Sequence, residues 1–269
     1  MALNFWQSTH YLHWMKNLRV EDFKRINPKD TMLTLQEVES IHLAIISLIE
    51  ELGARLHINQ ASTEDLPIVV YKRFYLTQSF CEFDPRLVAG TALFISSKIE
   101  ECQVRLADIA IQLHELTSKF PEDKDWLYDF TEKDIIECEF YVIEAMQYDM
   151  IIHHPFSTLI KLYEEFEETF PMNENSFKTA WDLCLFAYRT NVIMVRPPFL
   201  VAAAVVFLAL HDASYDTSEF LERVNIKSDM ILQVVGELQA AFAEFKTQSS
   251  LQHSAMPKLD DIVPDPFKD

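Results

Sequence analysis

DPRLVAGTALFISSKIEE, running from Asp84 to Glu101, opens with an aspartate followed by a proline. That pair starts a helix: the carboxylate caps the first free amides, and a proline at the first helical position has no N–H to leave unpaired. Pro85, Leu87, Val88, Ala89 and Phe94 recur as Pro198, Leu200, Val201, Ala202 and Phe207, at the single offset 198 − 85 = 113. A fixed offset between two such helices reads as a duplicated domain, each copy built around its middle helix. Chance likeness between two core helices rich in Ala, Val and Leu is the competing explanation. Both copies carry small residues in the first half, Ala89-Gly90-Thr91-Ala92 and Ala202-Ala203-Ala204, so neighbouring helices can approach closely.

Outward from these helices, start and stop signals divide the chain into short-linked helices. An amphipathic segment from Asn4 to about Leu18 carries Phe5, Trp6, Tyr11 and Trp14, and a short one follows to Asn27-Pro28. Thr34 with Glu37 forms a capping-box pattern opening a helix to about Leu56, and Thr131 with Asp134 opens another to about Gln147. Between them fall helices from about Asp65 to Thr77, from Pro85 through Glu100, and from Leu106 to Lys119, the last followed by a PEDKDW loop. After His154-Pro155 the pattern restarts, with helices near 156–169, 174–190, 198–211, 216–223 and 227–246. The expected architecture is all-α: an N-terminal helical extension over 1–30, two five-helix domains over 31–152 and 153–247, and a tail over 248–269.

Composition agrees and excludes several chemistries. Three glycines, Gly53, Gly90 and Gly236, stand alone in 269 residues. Average usage is about 7%. A Walker loop, a dinucleotide turn or a kinase glycine loop needs two or three glycines close together. Few turns with positive φ are expected. The formal charge is 23 − 42 = −19, which opposes binding to a phosphate backbone or an anionic membrane and favours a protein partner. Cys81, Cys102, Cys138 and Cys184 lack CxxC spacing and read as buried thiols of a reducing compartment. MALNFWQSTHYLHW is broken by polar residues, unlike a signal-peptide core, so an intracellular protein is expected. The apolar run from Phe199 to Leu210 is shorter than the roughly 20 residues a membrane helix needs.

The two copies diverge in polarity at one place. Lys98 shares a helical stripe with Leu87, Thr91 and Phe94, and Glu139 interrupts the stripe of Ile135, Val142 and Met146. A Lys98–Glu139 pair would satisfy both groups; the alternative is that each reaches solvent independently. At the repeat offset the second copy has His211 in place of Lys98 and Ala213-Ser214 in place of Glu100-Glu101, so the charged device belongs to the first copy alone.

These residues resemble a known family. YKRFYL (Tyr71 to Leu76), DPRLVAGTALFISSKIEE and IIECEFYVIE (Ile135 to Glu144) resemble the first cyclin box, and YRTNVIMVRPPFLVAAAVVFLA (Tyr188 to Ala209) the second half of a transcriptional cyclin. The opening NFWQSTHYLHW is similar to the start of the C-type branch. The resemblance implies tandem cyclin boxes and a kinase activator, not an enzyme. It implies that Lys98 and Glu139 bind carbonyls at the mobile C-helix of a Mediator-associated cyclin-dependent kinase, with Ile99, Glu101, Phe140 and Ile143 as the surrounding contact surface. Phe5 and Trp6 are candidates for contact with the kinase or other Mediator kinase-module subunits, though aromatic residues at helical spacing also pack on their own domain. The implied location is the nucleus, with the cytoplasm open as well, and no cofactor, metal, nucleic acid or membrane is implied. Two departures stand out: Lys72, where cell-cycle cyclins have an aspartate, and Leu185-Phe186, where C-type relatives have a polar Asn-Asp pair that bears on Mediator docking.

Other readings leave weaker marks. Glu39-x-x-His42 is half of a di-metal carboxylate signature, which needs two such motifs. His10-x-x-His13 lacks a neighbouring cysteine or carboxylate. A DNA-gripping general transcription factor of the same fold needs a basic face, which the charge opposes. Another transcriptional cyclin, of the kinase-activating-kinase or elongation type, is the nearest alternative.

Overall fold

The computed structural model describes residues 4–58, 61–102, 104–117, 130–166 and 174–248; the expected PEDKDW loop and nearly all of the tail lie outside them. Every regular element among the described residues is helical, and the chain divides into two compact units. One is built on Glu21–Met150, the other joins the residues up to Val20 with Ile151–Lys246.

The first unit contains α1 (Leu35–Arg55), α2 (Ala61–Phe74), α3 (Pro85–Ile99), α4 (Leu106–Thr117) and α5 (Glu132–Ala145). Both expected capping boxes are present, Thr34 with Glu37 on α1 and Thr131 with Asp134 on α5. α2 starts earlier than its sequence suggested and holds Pro67 inside it. α3 is the central helix, packed against α1, α2, α4 and α5. A Cβ added at Gly90 would lie 2.9 Å from Leu113 Cδ2 on α4, so this glycine is what lets the two helices meet.

Buried polar groups fix this unit. Asp84 accepts the Arg86 amide at 2.8 Å, capping α3, and also pairs with the Arg86 guanidinium at 2.8 Å, both side chains being buried. Asp30, ahead of α1, accepts from Ser79 Oγ at 2.5 Å and from the amides of Phe80 and Cys81, which anchors the α2–α3 turn. Arg73 is fully buried, and burial lowers its pKa to about 9 against the opposing attraction of Asp149.

The second unit contains α6 (Phe156–Phe166), α7 (Glu174–Ala187), a single turn α8 (Val192–Val195), α9 (Pro198–Asp212), α10 (Thr217–Arg223) and α11 (Ser228–Gln248). α9 is central here, against α6, α7 and α10, and every residue from Leu200 to Leu210 is buried. The repeat extends to the way its two central helices end. Glu101 (φ 53°) and Ser214 (φ 61°) are 214 − 101 = 113 residues apart. The next amides reach back alike, Cys102 to Ser97 O at 2.8 Å and Tyr215 to Leu210 O at 3.0 Å. Left-handed turns are therefore not few: His57, Glu101, Gln147, Tyr148 and Ser214 all adopt positive φ, and none of the glycines does. Helix ends here use side-chain-bearing residues where glycine would be free of the Cβ clash.

The N-terminal segment departs from the expected amphipathic α-helix. Phe5–Gln7 forms a 3₁₀ turn and His10–Met15 a π-helix. Asn4 Oδ1 accepts the Trp6 amide at 3.2 Å, and Ser8 Oγ donates to Phe5 O at 2.6 Å while accepting the Tyr11 amide at 3.3 Å. The wider winding turns His10, Trp14 and Met15 inward together, where ordinary helical spacing would splay them. His10 Nδ1 accepts the His153 amide at 3.0 Å. Docking on the unit thus overrides local propensity.

Candidate partner-binding surface

Lys98 occupies the last turn of α3, where the helix dipole favours a cation. Its Nζ lies 2.6 Å and 2.9 Å from the two carboxylate oxygens of Glu139 on α5, and 4.0 Å from the centre of the Phe94 ring. The Lys98 side chain is 50% exposed and that of Glu139 15%. A pair this open to solvent is worth at most about 1 kcal/mol to the fold. Glu139 takes two of the three ammonium donors, and half of the Lys98 side chain stays open to solvent.

Around the pair the surface is apolar and uncovered. Phe140, the residue after Glu139, is 70% exposed, an unusual position for a phenyl ring. Ile143 and Ile99 are half-buried, and Glu101 is exposed on the strained backbone that ends α3. The structure therefore brings Lys98, Glu139, Ile99, Glu101, Phe140 and Ile143 onto the adjoining ends and faces of α3 and α5. It adds Ile136 and Tyr141, both exposed on α5. Ile136 lies one turn before Phe140, so the 3.6-residue spacing carried its signal; Tyr141 is held by Phe83 at 5.3 Å, a contact that spacing does not reveal.

Phe5 and Trp6 belong to the second unit and form a separate aromatic surface. Phe5 meets His153 and Phe199 at 5.5 Å and 6.5 Å, and Trp6 meets Tyr11 and Phe199 at 4.8 Å and 5.8 Å. Trp6 remains 47% exposed, whereas Trp14 is buried. Asn4 and Ser8 bracket the two rings from either side of the 3₁₀ turn, which accounts for the spacing of the Asn-Phe-Trp-x-Ser start. In the same unit Phe186 packs on Phe242 and Phe245 of α11 at 4.6 Å and 4.8 Å, and the Arg189 guanidinium lies 5.5 Å from the Phe245 ring. The apolar departure at Leu185-Phe186 thus clasps α11 to α7.

The histidine of Glu39-x-x-His42 is part-buried and packed within the first unit. Its Nδ1 is 3.0 Å from the Tyr71 hydroxyl, and burial beside the Lys72 ammonium pulls its pKa down to about 3. Lys72 is itself buried, which lowers its pKa to about 7. Among the described residues no group of three or more His, Cys, Asp or Glu side chains is placed to hold a metal. No helix among them is long and apolar enough to cross a membrane.

Comparison with known proteins places this geometry. The family described as "Cyclin, N-terminal domain" matches residues 13–151, which span α1 to α5. The chain belongs to the cyclin family. It is 28% identical to Cyclin-C of Rattus norvegicus over 249 residues, covering 91% of this chain and 85% of that protein. It is also 28% identical to Cyclin-C1-2 of Arabidopsis thaliana over 264 residues, covering 96% and 98% of the two. Among solved structures it resembles a chain of the CAK complex of Chaetomium thermophilum bound to ATP-gamma-S, with TM-score 0.74, 16% identity, and 97% and 89% coverage. A chain of the yeast TFIIK complex matches with TM-score 0.67, 16% identity, and 88% and 99% coverage. At that identity the structural likeness speaks for the fold.

Proposed function

We propose that this protein is a C-type cyclin: a regulatory subunit that binds and activates a Mediator-associated cyclin-dependent kinase and so regulates transcription by RNA polymerase II in the nucleus. It supplies binding energy and no catalytic group. The observation that carries this reading is the Lys98–Glu139 pair set beside the uncovered Phe140, inside the segment that matches the cyclin family.

The kinase's C-helix seats on α3 and α5. The third Lys98 donor takes a carbonyl at the end of that helix, Glu139 holds the ammonium in place, and Phe140, Ile143 and Ile99 cover the helix's apolar side while Glu101 contacts its rim. Kinase activity needs an ion pair between the strand lysine and the C-helix glutamate, so a partner that accepts only the helix-in conformer shifts the population toward activity. Moving it from about 1% to about 99% active takes a preference of about 5.5 kcal/mol, within reach of an interface anchored by a phenyl ring that docking buries and by its surround. Trp6 and Phe5 offer a second contact to kinase-module subunits.

Pull-down against a panel of purified cyclin-dependent kinases tests the reading, with binding and stimulation of the Mediator-associated kinase expected. Capture of none of them by a folded, helical protein would falsify it. Preference for a kinase-activating or elongation kinase would reassign the branch.

A further inference from the structure

The apolar ridge on α5 is fenced by carboxylates on both flanks. Ile136, Phe140 and Ile143 follow one another at helical spacing, with Glu132 and Glu139 on one side and Glu137 and Glu144 on the other. Counting Glu101 as well, five carboxylates face two ammonium groups, Lys98 and Lys133, and 2 − 5 = −3. Lys98 is committed to Glu139. Lys133 approaches Glu137 only at 3.4 Å, with the two side chains 81% and 61% exposed, so water screens that pair and the rim stays negative.

Resting on the proposed function, we propose that Glu137 and Glu144 select the kinase: they steer toward α5 a docking helix whose apolar face is bordered by lysine or arginine. A second copy of this chain is the wrong occupant, since each carries −19. The division of labour follows from chemistry. Phe140 loses water contact and holds the complex, which governs dissociation, whereas rim charges act across water during approach and govern association and choice among partners.

The test is stopped-flow association with each kinase of the panel that binds, from about 0.1 M to about 1 M salt, over which the Debye length shrinks from about 10 Å to about 3 Å. The expected result is an association rate that falls roughly tenfold or more across that range, the low end of what steering provides. The double variant Glu137→Gln, Glu144→Gln flattens the salt dependence with dissociation unchanged, and Glu137→Lys, Glu144→Lys lowers the rate for a basic-bordered kinase relative to the others. Phe140→Ala should instead speed dissociation. A wild-type association rate insensitive to salt, or lysine variants that bind every kinase as the wild type does, overturns the steering proposal while leaving kinase binding intact. Failure of the wild type to bind any kinase overturns both, so the two failures are distinct.

Discussion

Lys98 links two helices through one ammonium group: both oxygens of Glu139 on α5 lie within 2.9 Å of it, and the ring of Phe94, from its own helix, lies 4.0 Å beneath. The pair is too solvated to hold α3 and α5 together, and α3 already meets α5 through buried residues. In the proposed role the pair instead presents a fixed donor to the kinase. Lys98→Ala and Glu139→Ala are each expected to abolish kinase activation while changing unfolding free energy by less than about 1 kcal/mol. Kinase assays beside circular-dichroism melts separate the two effects; full activation by both variants rejects the assigned role.

Phe140 gives the converse case. Since its ring is already in water, Phe140→Ala should leave the melting temperature of the free protein unchanged. A central aromatic anchor costs about 2 kcal/mol or more when truncated, so affinity for the kinase should fall roughly thirtyfold. Calorimetric titration reads this directly, and an unchanged affinity would place the interface elsewhere.

Asp84 and Arg86 carry structural weight. Arg86→Ala leaves a buried carboxylate without its guanidinium, a loss of about 3–5 kcal/mol. Asp84→Ala removes the α3 cap as well. Denaturant titration should find both far less stable than the Lys98 and Glu139 variants, with binding lost only as folding is lost.

The glycines and left-handed residues predict changes of both signs. Gly90→Ala drives a methyl against Leu113 and should destabilise by about 1–3 kcal/mol. Gly236→Ala, exposed on α11 with no atom within 4 Å of the new Cβ, should stabilise by about 1 kcal/mol. Ser214→Gly relieves positive φ at an exposed site and should also stabilise. Equilibrium unfolding of the three variants tests the set.

Buried Lys72 and part-buried His42 make stability fall on acidification. Lys72 has a folded pKa near 7 against 10.5 for the free group, so between those values the unfolded chain binds a proton that the folded one refuses. Unfolding free energy therefore rises with pH across that window, by up to about 1.4 kcal/mol per pH unit. His42, held near 3 against 6.5, extends the loss as pH falls through that lower range. Lys72→Met should flatten the upper window, which denaturant midpoints measured from neutral to alkaline pH will show.

Much of this was legible from residue order. The offset of 113 located both central helices, and the capping patterns at Thr34 and Thr131 marked true helix starts. Lys98 and Glu139 were found because each interrupts an apolar stripe. Trp6 and Trp14 share a segment and a residue type, yet one is exposed and the other buried, because the winding of His10–Met15 is set by docking onto His153 and its neighbours. No local period encodes that. α2 was expected from about Asp65, whereas the helix begins at Ala61 and runs on through Pro67. Left-handed helix ends were expected to be few because glycines are few, but the backbone takes that conformation at His57, Glu101, Gln147, Tyr148 and Ser214 instead.

The bracketing of Phe5 and Trp6 by Asn4 and Ser8 bears on how the protein can be handled. A fusion partner joined ahead of Met1 enters the chain three residues before Asn4, beside the half-exposed indole. An affinity tag there competes with natural ligands of that aromatic face, and a bulky fluorescent domain shields it. Partners of the N-terminal rings will therefore be under-counted when the chain carries a tag at that end.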